Sequence, residues 1–286
     1  MKISIKRIIR SIVEIIVVTY LISACFLYFF QDKLLFLTTR EMYSTTPAIH
    51  GIEYKDVYFK TKDGLKLHGW FITGKSENPY LLFCHGNAEN VSGLLESALQ
   101  FYQLGLNVLF FDYRCYGKSE GKTISETGTY LDAEAAWDFM VNELKIPSDK
   151  IIIFGRSLGG AVATKLASER TCEALIVESG FYSATERAAE LYKWYPIKWM
   201  IRNPYESGKN LRSIKCPVLI IHSPDDEIIP FHHGQELFAA ANEPKRFLTL
   251  KGDHNNGYWI YQEIYLAGIK QFLVEFNLMN FRAAGR

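Results

Sequence analysis

The 286-residue sequence has no surplus of charge of either sign, because 32 Lys and Arg residues are matched by 31 Asp and Glu residues. It also has no stripe of basic residues interleaved with aromatic ones, so we expect no nucleic acid among its partners. Metal-binding motifs are missing too: Cys-x-x-Cys does not occur, and the seven histidines do not follow metal-ligand spacing. The sequence therefore predicts no metal site, and it indicates no cofactor.

Cysteine is scarce as well, with five residues scattered along the chain. This pattern does not indicate a disulfide framework, although a single pair could still form. Internal repeats, low-complexity tracts and Pro/Gly/Ser-rich linkers are absent after residue 50. A chain of this length with 48% hydrophobic residues predicts one large domain with an ample core, preceded by an N-terminal appendage.

That appendage contains the longest hydrophobic run. A basic segment at residues 1–10 precedes residues 11–30, in which Glu14 is the only charged residue. About 20 apolar residues span the hydrocarbon core of a bilayer, which is roughly 30 Å thick. We therefore predict a single-pass transmembrane anchor at 11–30 that contacts membrane lipid, followed by a linker at 31–49. The cations before the run predict a cytoplasmic N-terminus, with the remaining chain on the opposite side of the membrane.

Two alternatives to an uncleaved anchor remain. A buried core helix is disfavoured by the four cations directly before the run. A cleaved signal peptide is the stronger alternative, since Ile-Ser-Ala-Cys at 22–25 resembles a bacterial lipoprotein box in which Cys25 would be acylated. The sequence stays apolar at 26–30, which favours an uncleaved helix with an aromatic interfacial end.

From residue 50 to about 280, short apolar runs alternate with longer helical patterns. The runs at 56–61 and 65–73 predict an antiparallel strand pair. The later runs are uniformly apolar, which is typical of strands buried on both faces of a sheet. These strands are predicted at 80–84, 108–113, 151–154, 174–177, 218–222 and 247–250, with helices at 90–104, 125–144, 158–168, 232–241 and 259–276. This order predicts an α/β domain at 50–280 with a mostly parallel eight-stranded sheet covered by helices on both faces.

A strand, a tight turn and a helical pattern surround Ser157. The strand at 151–154 runs into Gly-Arg-Ser-Leu-Gly at 155–159, which is the setting of a nucleophile elbow. The glycines would keep side chains away from a strained turn. The helix N-terminus offers free N–H groups to a developing oxyanion. We therefore predict that Ser157 is the nucleophile and that Leu158 supplies one oxyanion donor; an ordinary glycine-rich turn is the alternative.

A serine hydroxyl needs a base to take its proton, and in this arrangement the acid and the base follow the serine in the chain. His254 lies in a polar turn directly after the last predicted strand, and we predict that it is the base. His222 ends an apolar strand and is interpreted as structural. His232 and His233 open a helix, which favours a surface position.

The acid is expected from the loop at 222–227, which carries three carboxylates. We predict Asp226, which would hold the imidazole in the required tautomer. Asp225 is the second choice, and Glu178, at the end of an earlier strand, is a third. The carboxylate that is not used would suit a helix N-cap or an Asx turn.

A second oxyanion donor is expected from the loop at 85–88, after the strand at 80–84. Gly86 allows the backbone to turn sharply there, and we predict that the backbone N–H of Asn87 is the donor. His85 precedes the serine, and we interpret it as bracing this loop by hydrogen bonds.

Three segments carry a resemblance to a known family: Phe-Cys-His-Gly-Asn-Ala at 83–88, Phe-Asp-Tyr-Arg-Cys-Tyr-Gly-Lys-Ser at 111–119 and Gly-Arg-Ser-Leu-Gly-Gly at 155–160. They resemble the α/β-hydrolase superfamily. More narrowly, they are similar to its membrane-anchored α/β-hydrolase domain-containing branch and to bacterial serine aminopeptidase-like or lysophospholipase-like relatives. The resemblance covers roughly residues 50–275 and implies the α/β-hydrolase fold. It aligns Asp226 with the catalytic acid and implies the reaction type more strongly than the substrate.

Two residues depart from the family's pattern. Cys115 stands where a glycine is usual, and we expect it to narrow the pocket. Ser223 replaces a glycine of the acid loop.

The family's usual insertion point predicts a short lid at residues 181–212, hereafter the lid segment. Its aromatic residues include Trp194 and Trp199, which we predict to line the substrate pocket; a core-packing helix pair is the alternative. Lys193, Lys198 and Arg202 lie among them and could face anionic headgroups near the membrane.

Together these residues predict a serine hydrolase that cleaves an ester or thioester of a small-molecule or lipid-like acyl substrate through an acyl-enzyme. A serine peptidase is the nearest alternative, and an acidic pocket for a substrate amino group would support it. A non-catalytic membrane-tethered binding module is less favoured, because all three triad members are present.

Overall fold

The computed structural model describes residues 5–279. Residues 1–4 of the predicted basic segment and residue 280, the predicted end of the domain, lie outside the described residues. The strands are β1 (Tyr54–Lys60), β2 (Lys66–Ile72), β3 (Tyr80–Cys84), β4 (Asn107–Phe111), β5 (Ile151–Arg156), β6 (Ala174–Glu178), β7 (Val218–His222) and β8 (Lys245–Thr249). The α-helices are α1 (Ile5–Leu35), α2 (Leu95–Gln103), α3 (Glu126–Asp138), α4 (Leu158–Glu169), α5 (Ala184–Leu191), α6 (Ile197–Met200), α7 (Ser207–Leu211), α8 (Phe231–Ala240), α9 (Gly257–Ile260) and α10 (Gln262–Glu275).

The eight strands form one sheet in the order β1-β2-β4-β3-β5-β6-β7-β8. Strand β2 pairs antiparallel with β1 and β4, and the remaining neighbours are parallel. The predicted mostly parallel sheet is therefore confirmed. Strand β4 is added on one side of β3, and β5 is added on the other side. The order in which strands are added therefore reverses between β3 and β5, and the loops that follow these two strands lie side by side, where ligands bind in such sheets.

Helices cover both faces of the sheet. Because alternate residues of a strand point to opposite faces, each central strand contributes to two cores. Leu82 and Cys84 of β3 belong to the core beneath α3, α4 and α8. Leu81 and Phe83 belong to the core beneath α2 and α10. Burial on both faces explains why the central strands read as uniformly apolar runs.

Helix α1 is long and apolar enough to cross a membrane, a test that an N-terminal signal sequence would also pass. It contains the predicted anchor and continues to Leu35, so the first five residues of the predicted linker are helical. None of its residues is fully buried, and its contacts with the domain involve residues in its second half, including Tyr20 and Gln31. The lid segment, between β6 and β7, contains α5, α6 and α7.

Candidate active site

The turn that carries Ser157 is strained, with φ of +53° and ψ of −117°. Such a turn needs glycine on both sides. A Cβ at Gly155 would lie 2.2 Å from the carbonyl oxygen of Gly159, and one at Gly159 would lie 2.0 Å from that of Cys84. The sequence therefore presents Ser157 at the carboxyl end of β5, against the loop that follows β3.

The structure brings together the three residues predicted as a catalytic triad. The Nε2 atom of His254 lies 3.0 Å from the Oγ atom of Ser157. Its Nδ1 atom lies 2.8 Å from the Oδ2 atom of Asp226. This arrangement fixes the tautomer: Nδ1–H donates to the carboxylate, and Nε2 is free to accept the serine proton.

Asp226 is fixed by the backbone of its own loop. Its Oδ1 atom accepts the N–H groups of Ile228 at 3.0 Å and Ile229 at 2.7 Å. Burial acts to raise the pKa of the Asp226 carboxyl. The hydrogen bond and charge of His254 and the N–H of Ile229 outweigh burial and hold this pKa below its usual value. The carboxylate is therefore ionised at neutral pH.

The other predicted acids point elsewhere. The side chain of Asp225 accepts a long contact from the N–H of Gly252, at 3.4 Å. Glu178 pairs with Arg156, with 2.9 Å between Nε and Oε1. His222, interpreted as structural, donates from Nε2 to the carbonyl oxygen of Ile229 at 2.8 Å. It therefore supports the loop that holds Asp226.

The predicted oxyanion donors lie beside Ser157. Leu158 begins α4, so its N–H group is among those that the helix leaves unbonded. The loop of Asn87 backs onto the serine, since a Cβ at Gly86 would lie 3.7 Å from the Cβ of Ser157. His85 donates from Nδ1 to the carbonyl oxygen of Gly86 at 2.6 Å, a contact that agrees with its interpretation as a brace.

The side chain of Asn87 fastens this loop to the end of α1. Its Nδ2 donates to the carbonyl oxygen of Leu35 at 2.6 Å, and its Oδ1 accepts the N–H of Leu37 at 2.9 Å. The hydroxyl of Tyr116 donates to the same Oδ1 at 2.8 Å. The N-terminal segment therefore helps to position the predicted oxyanion loop, a role that no local sequence signal indicates.

A cavity of about 830 Å³ opens over the triad, within the range of small-molecule sites. Its floor includes Ser157, Leu158 and His254. One wall comes from the lid segment and from 227–229, and the other comes from the C-terminal part of α1 and the residues after it. The wall residues include Leu27, Leu34, Leu37, Ala188, Leu191, Met200, Ile201 and Ile228.

Three sequence expectations are corrected here. Trp194 and Trp199 do not line this cavity; each is 87% exposed, because the segment turns its main chain toward α1 and its tryptophans outward. Cys115 does not narrow the cavity either. Its φ of +71° explains why glycine suits this position. His233 was expected at the surface but is buried, and its Nδ1 accepts the N–H of Tyr182.

Among the described residues, two overlapping groups of potential metal ligands lie between α5 and α8 and share His233; the second consists of Glu186, His233 and Glu236. The ligand atoms of Glu190, His232 and His233 lie within 4.8 Å of one another. Both rings donate from Nε2 to Glu190, at 2.7 Å and 3.3 Å. The two histidines and Glu190 thus hydrogen-bond to one another, and these bonds join the lid segment to the domain. Sequence spacing could not indicate this cluster, because Glu190 is distant in the chain.

Comparisons with known proteins give a consistent result. A family model described as serine aminopeptidase, S33, matches residues 76–208. The chain is similar to the alpha/beta hydrolase domain-containing protein WAV2 of Arabidopsis thaliana, with 32% identity over 273 residues that cover 86% of this chain and 88% of the relative.

Two further matches bear on chemistry and fold. The chain is 33% identical over 219 residues to the lysophosphatidylserine lipase ABHD12 of Rattus norvegicus, covering 68% of this chain and 53% of that protein. The solved esterase Pf2001 of Pyrococcus furiosus superposes with a TM-score of 0.73 at 23% identity, covering 85% of this chain and 98% of that one. At that identity the likeness shows a shared fold alone.

Proposed function

Since this chain belongs to the α/β-hydrolase superfamily, we propose that it is a serine hydrolase that cleaves an ester or thioester of a lipid-like acyl substrate, with Ser157, His254 and Asp226 as its triad. One observation carries the proposal: a continuous hydrogen-bonded path from the Ser157 hydroxyl through His254 to Asp226. Both links fall within hydrogen-bonding distance, as nucleophilic catalysis requires.

The reaction begins when the Oγ of Ser157 bonds to the acyl carbonyl carbon and His254 takes the serine proton at Nε2. Asp226 stabilises the imidazolium that results. The tetrahedral intermediate collapses, the bond to the alcohol or thiol breaks, and His254 returns the proton to the leaving group. Water then attacks the acyl-enzyme by the same route and releases the acid.

The negative charge of the tetrahedral intermediate would be held by the backbone N–H groups of Leu158 and Asn87. Donors held in place before the reaction need no reorganisation when charge develops, and losing one typically costs about 10²–10³-fold in rate. The hydrogen bonds that hold the Asn87 side chain to the carbonyl oxygen of Leu35 and the N–H group of Leu37 support such preorganisation.

An acyl substrate is supported by the mostly apolar walls of the cavity and by the similarity of this chain to the rat lysophosphatidylserine lipase. We further propose that α1 is an uncleaved single-pass anchor, with its N-terminus in the cytoplasm and the catalytic domain on the opposite side. The length and apolar character of α1 support the anchor.

The test uses the full chain in detergent and a fluorophosphonate probe with p-nitrophenyl esters. Wild type should be labelled at Ser157 and should hydrolyse the esters. Ser157→Ala should lose the label and lower turnover by several orders of magnitude, as in other triads. Labelling that persists in the variant would refute the nucleophile. A wild type that neither labels nor turns over would favour a binding module.

A peptidase is the second candidate, because two carboxylates that could hold a substrate amino group, Glu89 and Glu227, line the cavity. Both already accept backbone hydrogen bonds, from Gly86 at 2.8 Å and His254 at 3.2 Å, so they are less available to a substrate. Aminoacyl p-nitroanilides distinguish the two activities: their cleavage by wild type, lost when the substrate amino group is acetylated and lost in Ser157→Ala, would favour the peptidase.

A further inference from the structure

One face of α1 is turned toward the lid segment along four turns of the helix. Tyr20, Ser23, Leu27, Gln31 and Leu34 follow a spacing of three and four residues, which places them on a single stripe. The stripe extends for about 21 Å at 1.5 Å per residue.

Both ends of the lid segment's contact with α1 are fixed by polar groups. Near the middle of α1, the Tyr20 hydroxyl donates to the carbonyl oxygen of Trp194 at 3.0 Å. The Tyr20 ring stacks on that of Tyr195, with 5.1 Å between centroids, and Ser23 hydrogen-bonds the Tyr195 hydroxyl at 2.7 Å.

Near the C-terminal end of α1 the contacts are equally specific. Gln31 donates to the carbonyl oxygen of Met200 at 3.1 Å and accepts the N–H of Arg202 at 2.7 Å. Asp32 pairs with the guanidinium of Arg202 at 2.7 Å and accepts Nδ2 of Asn203 at 2.8 Å. Helix α1 and the lid segment are therefore held together at two points.

Alongside these contacts, apolar side chains of α1 and the lid segment line part of the cavity, hereafter the slot. Leu27 and Leu34 of α1 line the cavity opposite Leu191, Met200 and Ile201 of the lid segment. The slot leads to the floor that holds the Ser157 hydroxyl. The cavity is thus built between a helix and a lid, rather than inside the α/β domain alone.

The opposite face of α1 is apolar and faces outward. Ile22, Phe26 and Phe29 are 64%, 50% and 68% exposed. A helix with these residues on its outer face fits a lipid environment. Trp194 and Trp199, both outward-facing on the neighbouring segment, suit the membrane interface, where tryptophan is enriched.

We propose that the slot between α1 and the lid segment is an acyl-chain site that receives its ligand from the adjoining lipid leaflet, with Leu27 and Leu34 limiting the length of chain that fits. This inference rests on the proposed hydrolase function. It assigns α1 a second role: the helix forms part of the substrate site as well as tethering the domain.

The test places a tryptophan in the slot of the full chain and measures selectivity. Leu27→Trp should lower the ratio of kcat/KM for p-nitrophenyl palmitate over butyrate by about tenfold or more, since small volume changes in apolar pockets have effects of this size. Leu34→Trp should act in the same direction. Ile22→Trp, on the outer face of the same helix, is the matched control and should leave the ratio unchanged. Melting temperatures of all three variants show whether they fold.

A second measurement does not require turnover. The full chain is placed in phosphatidylcholine vesicles with a diazirine-bearing palmitate, irradiated and mapped by mass spectrometry. We expect adducts on peptides around residues 27–34 and 191–201, and fewer of them in Leu27→Trp than in Ile22→Trp. Equal selectivity in both variants, or adducts confined to the outer face of α1, would overturn the slot. Absence of ester turnover with slot adducts retained would instead refute the hydrolase.

Discussion

Arg156 and Glu178 form a buried ion pair next to Ser157, with 2.9 Å between Nε and Oε1 and side chains only 7% and 3% exposed. The hydroxyl of Tyr265 also donates to Glu178, at 2.7 Å, and the guanidinium stacks over the ring of Tyr258. The residue before Ser157 is thereby fixed to the neighbouring strand β6, so the elbow has a rigid support beneath it.

Neutralising one partner of this ion pair should lower the free energy of unfolding. Glu178→Gln leaves the Arg156 cation buried without a counter-charge, and we expect a loss of about 3–5 kcal/mol in the free energy of unfolding. Glu169→Gln is the control, because the pair of Glu169 with Lys165 is exposed and worth about 1 kcal/mol or less. Urea unfolding measures both. Similar losses in the two variants would argue against this role for the pair.

The loop at 222–227 carries two adjacent aspartates whose effects on kcat can be compared. Asp226→Asn removes the charge that holds His254 in the reactive tautomer, and we expect kcat to fall by about 10⁴-fold. Asp225→Asn should leave kcat within a few-fold of wild type, since this side chain makes a long contact, at 3.4 Å, with Gly252. Steady-state hydrolysis of a p-nitrophenyl ester compares them, and a larger effect of Asp225→Asn would exchange the two assignments.

The packing of the elbow predicts intolerance of a single methyl group. Gly159→Ala would place Cβ 2.0 Å from the carbonyl oxygen of Cys84, and overpacking against backbone costs about 3 kcal/mol or more. At Gly93 the nearest atom to an added Cβ lies 3.7 Å away, so Gly93→Ala should change stability by about 0.5 kcal/mol or less. Thermal unfolding tests the contrast, and equal melting temperatures would contradict the close approach.

Glu173 should make stability depend on pH. Burial raises the pKa of its carboxyl from 4.5 to about 7, against the opposing charge of Lys150. The folded state then binds this proton more tightly than the unfolded one, so the contribution of Glu173 to stability is most favourable below pH 4.5 and becomes less favourable as the pH rises to about 7. Glu173→Gln removes this titration. Its melting temperature should exceed that of wild type at about pH 8, and the gap should narrow toward pH 4.5; a constant gap would count against the shift.

In the sequence, Cys172 precedes the lid segment and Cys216 follows it. In the fold their Sγ atoms lie 3.2 Å apart. The hydrogen bond from Cys172 lowers the pKa of the Cys216 thiol, which favours its thiolate. Diamide, which takes up the two electrons and two protons, should therefore join this pair within one chain. Peptide mapping after alkylation should find the crosslink in wild type and not in Cys172→Ser. Alkylation of both thiols in treated wild type would contradict it.

The sequence allowed much of the sheet to be predicted, because two-sided burial leaves a local signal. The apolar runs at 80–84 and 218–222 coincide with β3 and β7. The order of Ser157, the loop at 222–227 and His254 along the chain narrowed the candidates, and the family resemblance favoured Asp226 over Asp225; the fold brings Ser157, Asp226 and His254 together. The family resemblance is confirmed by the relatives. Their catalytic roles stay predictions.

What the sequence did not reveal depends on distant contacts. Asn87 bonds to main-chain atoms near residue 36, and Gln31 bonds to residues about 170 positions away. Backbone groups carry no side-chain signature, so these contacts leave no pattern to read. Trp194 and Trp199 were misplaced for the same reason: their apolar character predicts burial, but main-chain bonds to α1 turn them outward.

The outward-opening slot has a practical consequence for any preparation of this protein. A detergent monomer has an alkyl tail and a polar head, the same amphiphilic form as the proposed substrate. We expect such tails in detergent micelles to reach the slot beside α1 at high local concentration and to compete with the proposed substrate there. The choice of solubilising agent then becomes a kinetic variable, with the tail length of the surfactant acting as that of an inhibitor.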